Sequence, residues 1–157
     1  MRSDPPRVMT ATDSAAGPSI YLICDPSDEA DRNFAFELER QIERNEKMQV
    51  VLPPKDVPSA HERHQQMLRE CDGVLLYREK APEPWFFEYF RDVARAEKLL
   101  NRRPLTSKAV LVGADDAADL VAPSGVKLLG VRNPFTMDIL EPFLAPLRGL
   151  EVANARG

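Results

Sequence analysis

His61, Glu62 and His64 are the residues of this 157-residue chain whose types first suggest chemistry, because two imidazoles beside a carboxylate are a metal-ligand set. Their spacing argues against it. A zincin helix carries HExxH, which stacks both imidazoles one turn apart with the glutamate between them; here the histidines are three apart. No further His occurs, so no metal site is expected and both histidines read as solvated residues at the start of a helix. Cys24 and Cys71 are too distant in sequence for CxxC chemistry and lie where small buried hydrophobes belong. Two thiols make no disulfide framework, which points to a reducing compartment. The turn after the first apolar run reads Cys24-Asp25-Pro26-Ser27-Asp28-Glu29, so it is neither a P-loop nor a dinucleotide-binding fingerprint. Tyr77-Arg78-Glu79 ends the third apolar run, leaving no phospho-acceptor aspartate there.

Three carboxylates remain. Asp25 directly follows the first run, a position that faces the ligand crevice of an open parallel sheet, and it could equally form an Asx turn. Asp72 precedes the third run, and Glu88 lies in the helix after it. As a pair they could act at an N-glycosidic carbon, since nucleoside deoxyribosyltransferase-like folds use a glutamate on that helix as nucleophile. Trp85 would then sit beside the base. Its spacing to Tyr89 and Phe90 instead predicts a ring mostly buried against the third strand. Arg91, Arg95, Lys98, Arg102 and Arg103 form a local basic face, read as solvated.

The elements that must position these residues follow from hydrophobic patterning. Ile20–Cys24, Met48–Leu52, Gly73–Tyr77, Ala109–Val112 and Val126–Val131 are short apolar runs of the kind buried on both faces of a sheet. Between them, Phe34, Leu38 and Ile42 mark a helix over 28–45 with Ser27 as N-cap. Ser59-Ala60-His61-Glu62 is a capping box opening a second helix. Pro84 begins a long third helix running on to Leu100, and Met137, Leu140, Leu144 and Leu147 mark a last one, interrupted by Pro142 and Pro146. Residues 114–125 read as a polar connection. Strands alternating with helices predict an α/β fold, a flavodoxin-like three-layer sandwich with a five-stranded parallel sheet in the order 2-1-3-4-5. Residues 1–18 and 149–157 lack a core pattern and read as flexible segments flanking one domain over 19–148.

With 43% hydrophobic and 29% charged residues the composition is that of an ordinary globular domain. A net charge of −4 argues against nucleic acid or an anionic membrane surface as partner. The N-terminus has no apolar h-region and no long apolar run follows, so a cytoplasmic location is expected.

The order of short motifs adds a resemblance. IYLICDPSDEADRN, the Pro-rich VVLPPKDVPSAHERHQQML, Cys71-Asp72 before the apolar third run, and Trp85 opening the next helix together resemble Toll/interleukin-1 receptor (TIR) domains, most closely the TIR-like domains attached to bacterial STAND-type signalling ATPases. The resemblance covers about residues 19–148. It implies a module for bacterial signalling or defence that works by protein–protein contact, with other TIR-like domains or a signalling ATPase as partners and with self-association. It places the interaction loop at Pro53, Pro54, Lys55, Asp56, Val57 and Pro58. It implies no resident cofactor, with NAD as a substrate in those relatives that hydrolyse it. There the catalytic glutamate stands four residues after the Trp of a WxxxE motif. Here Tyr89 holds that place and Glu88 comes one residue early, about 100° around the helix. Assembly is therefore the expected activity, and an NAD or nucleoside N-glycosidase using Glu88 with Asp25 and Trp85 is the alternative.

Overall fold

The computed structural model describes residues 17–53, 59–123, 125–132 and 134–156. Strands β1 (Ser19–Ile23), β2 (Gln49–Val51), β3 (Gly73–Arg78), β4 (Ser107–Gly113) and β5 (Lys127–Val131) form one sheet. All neighbours run parallel, and the order is β2-β1-β3-β4-β5, the expected α/β, flavodoxin-like arrangement. The helices are α1 (Glu29–Asn45), α2 (Ala60–Glu70), α3 (Glu83–Ala94), α4 (Ala96–Leu99), α5 (Ala114–Asp119) and α6 (Glu141–Arg156), the last preceded by a 3-10 turn over Met137–Leu140.

The central strands β1, β3 and β4 lack polar alternation because side chains on both of their faces are buried. Ile20, Leu22, Leu75, Tyr77 and Leu111 lie on the face covered by Leu38 and Ile42 of α1 and by Phe143 and Leu147 of α6. Tyr21, Ile23, Val74, Leu76 and Val110 lie on the other face, against Leu68 of α2, Phe86 and Val93 of α3 and Ala96 of α4. The chain enters β1 through Gly17, at φ +82°, where a Cβ would come within 1.9 Å of the Lys47 carbonyl oxygen. Only glycine fits that approach. Edge strand β2 is blunted by Glu43, whose carboxylate accepts the Val50 N–H at 3.0 Å.

Several local expectations are corrected. The N-cap of α1 is Asp28, which accepts the Asp31 N–H at 3.0 Å; the Ser27 N–H is instead held by Asp25. Ser59 precedes α2 without a side-chain cap bond, its ψ of 22° departing from the extended geometry that aims a capping hydroxyl at the first turn. The expected long third helix breaks at Arg95 into α3 and α4. Lys108 of β4 meets the break: its ammonium donates to the Ala94 carbonyl at 3.4 Å and to Glu97 at 2.8 Å, satisfying a carbonyl at the interruption. The polar connection holds the short helix α5. Helix α6 runs to Arg156 rather than stopping near 148, because Leu150 continues the inward stripe of Phe143 and Leu147. Pro142 sits in its first turn, where no N–H is required, and Pro146 is accommodated inside it.

Candidate functional site

Connections leaving neighbouring strands β1 and β3 turn to opposite faces of the sheet, to α1 and α3 respectively. That divergence leaves a crevice outside the carboxyl ends of the strands. A cavity of about 360 Å³ occupies it. Its floor is Tyr21 and Cys24, its β1 rim is Asp25, Pro26 and Ser27, and Trp85 and Tyr89 of α3 form one wall. Pro53 after β2, with Ala60 and His64 of α2, form the other side. A larger hollow, about 500 Å³ around Phe36 and Arg40, draws its described lining from α1 alone.

Each lining group is held by its own element. Asp25 is buried, and its Oδ1 accepts the Ser27 N–H at 2.9 Å. It therefore forms an Asx turn and lines the crevice at once. Trp85 and Tyr89, one helical turn apart, place their ring centroids 4.9 Å apart at 35°. Behind Tyr89 lies a hydrogen-bonded chain. The Tyr21 hydroxyl is 2.8 Å from His64 Nδ1, and His64 Nε2 is 3.1 Å from the Asp92 carboxylate. A carboxylate only accepts, so Nε2 carries the proton and a neutral Nδ1 accepts from the tyrosine. Burial, the largest influence, pulls the His64 imidazole below its usual range against the opposing pull of Asp92.

This network corrects the reading of both histidines as solvated: His61 is exposed, whereas His64 is 5% exposed. His64 lies on the inward stripe of α2 with Leu68, and Asp92 follows Trp85 and Tyr89 at helical spacing, which is the signal that marks both. Trp85 is only half-buried, and the fully buried ring of α3 is Phe86. Glu88 is exposed and is not part of the described crevice lining. Asp72 is at the opposite end of the sheet, accepting the Ser19 N–H at 2.9 Å. Of the predicted site residues, the fold thus brings Asp25 and Trp85 together at the cavity, places Asp72 at the other end of the sheet, and leaves the predicted catalytic Glu88 exposed, outside the described lining. Of the predicted interaction loop, Pro53 lines the crevice, while residues 54–58 lie outside the described residues.

Two lining groups are held in their protonated forms. Burial, then the neighbouring Asp31 and Asp25, push the Cys24 thiol up to about 12, and burial likewise keeps Tyr21 a phenol. Among the described residues no three His, Cys, Asp or Glu side chains are grouped to hold a metal ion. No helix among them is long and apolar enough to cross a membrane. Comparison of the chain with protein-family models, with curated proteins and with solved structures gives no match.

Proposed function

We propose that this chain is a TIR-like module for signalling or effector assembly, acting by recognition, and that the crevice at the end of β1 holds a small ring-bearing ligand. The observation that carries this reading is the pairing of an open aromatic wall, Trp85 with Tyr89, and a buried carboxylate, Asp25, around one cavity. The connection containing the interaction loop leaves the crevice at Pro53 and returns to it at Ala60. Ligand binding and domain-to-domain contact therefore share a boundary. Glu88, the carboxylate on which the hydrolytic reading depends, lies outside the described lining, and this favours recognition over N-glycoside hydrolysis.

Two measurements test it. Sedimentation at high protein concentration should show self-association that Lys55→Glu with Asp56→Lys reduces without changing the melting temperature. Concentrated protein incubated with NAD should release no nicotinamide. Release that disappears in Glu88→Ala would replace this proposal with the glycosidase reading, and sedimentation indifferent to the loop substitutions would remove the assembly role.

A further inference from the structure

We infer that the crevice selects a flat ligand carrying positive charge or hydrogen-bond donors, and that it turns anions away. The inference rests on the proposed reading of the crevice as a ligand site. It begins with the direction of the buried chain from Asp92 through His64 to Tyr21. Because His64 Nδ1 receives the Tyr21 proton, the tyrosine has only oxygen lone pairs left to offer any further partner. Both ring nitrogens of His64 are already engaged, so the imidazole adds no free donor. Asp25 supplies the second acceptor: Oδ1 holds the Ser27 N–H, and Oδ2 has no hydrogen-bond partner among the described residues, nor is it a fully enclosed unsatisfied atom.

The charges around the cavity agree. Its described lining contains Asp25 and no Lys or Arg. The adjoining segment 54–58 carries one Lys and one Asp, so it adds no net charge. Helix α2 reaches the rim at Ala60 with its partly positive amino end, but Glu62 in its first turn already opposes that charge. The hydroxyls of Ser27 and Tyr89 can turn to donate or accept and set no preference. The Trp85 and Tyr89 ring faces attract cations through their quadrupoles, and do so more strongly when desolvated. A phosphate or carboxylate group would meet the buried like charge of Asp25, and the described lining offers it no Lys or Arg, which costs affinity.

An isosteric series separates the possibilities. Benzamidine, benzamide and benzoate share one ring and differ in charge and donors, and the emission of Trp85, the only tryptophan, reports binding to the 157-residue chain. Benzamidine should bind about tenfold or more tighter than benzamide, and benzoate should not bind. Asp25→Asn should bring benzamidine and benzamide to within about threefold of each other while leaving benzamide affinity unchanged. Benzoate binding as tightly as benzamidine, or a cation preference undiminished in Asp25→Asn, would overturn this inference while leaving the crevice a binding site. Failure of all three to bind, checked by ligand-observed NMR, would overturn the crevice reading itself. The wild-type series decides the charge question alone if Asp25→Asn does not fold.

Discussion

The two ends of strand β1 lie on the same sheet and are treated oppositely. At the amino end Asp72 and Arg102 are both fully engaged with the fold. Asp72 accepts the Ser19 N–H at 2.9 Å and meets Arg103 at 3.4 Å, and its own backbone bonds Ser19 and Thr106. The Arg102 guanidinium donates to the carbonyls of Leu68, Arg69 and Cys71 within 3.0 Å, satisfying the carboxyl end of α2. At the carboxyl end Asp25 has one oxygen engaged, and Trp85 and Tyr89 are left half-buried. Saturated polar groups hold a fold together, whereas groups with unused capacity beside a cavity are available to a ligand. Asp25 and Asp72 are the same residue type next to strand termini, and only their surroundings divide them between these roles.

The largest effect expected from this contrast concerns adjacent rings on α3. Phe86 is 1% exposed and packs under the sheet, so Phe86→Ala should cost about 3–5 kcal/mol in urea unfolding. Trp85, facing the crevice, should cost roughly 1–2 kcal/mol as Trp85→Ala, because a half-covered ring removes less area from water. Equal losses would make Trp85 a core residue and take away the crevice wall.

A smaller difference separates the two ends of β1. Arg102→Ala leaves three carbonyls short of a charged donor and should cost roughly 1–2 kcal/mol. Asp25→Asn keeps an oxygen to accept the Ser27 N–H, so its cost should be under about 1 kcal/mol. Thermal unfolding of the two variants side by side measures this, and a reversed order would make Asp25 a structural residue.

The sheet was legible because five short apolar runs separated by amphipathic or turn-rich segments leave few topologies. The site was most legible where chain position alone decides it. Asp25 follows a strand whose carboxyl end must face the crevice, and no helix roll enters that argument. Residues on α3 are different, since each step rotates the side chain by about 100° and Trp85, Phe86, Phe87, Tyr89 and Phe90 are apolar almost all round. Which ring turns inward depends on how α3 sits over β3 and β4, and the packed structure chose Phe86. His64 and Asp92 were missed for a related reason. A polar residue on an inward stripe reads as noise until its partner, distant in sequence, is known to lie opposite.

The smallest expected effect is a pH dependence, and it sharpens the claim that the His64 chain is closed and neutral. Burial lowers the folded-state pKa of His64 below its ordinary value of 6.5, so the unfolded chain binds its proton first as pH falls. The stability contributed by the neutral imidazole is therefore complete above about 6.5 and is lost as pH drops from there to the folded-state value. The loss is limited because the bond from Nε2 to Asp92 favours the protonated form and partly offsets burial. His64→Gln should be less stable at pH 7.5, since it disturbs the contact with Tyr21, yet its stability should fall less steeply than that of the parent between pH 7 and 5.5. If His64→Gln keeps the parental slope, the buried chain from Asp92 to Tyr21 is not the proton-linked element, and the acceptor character assigned to Tyr21 loses its support.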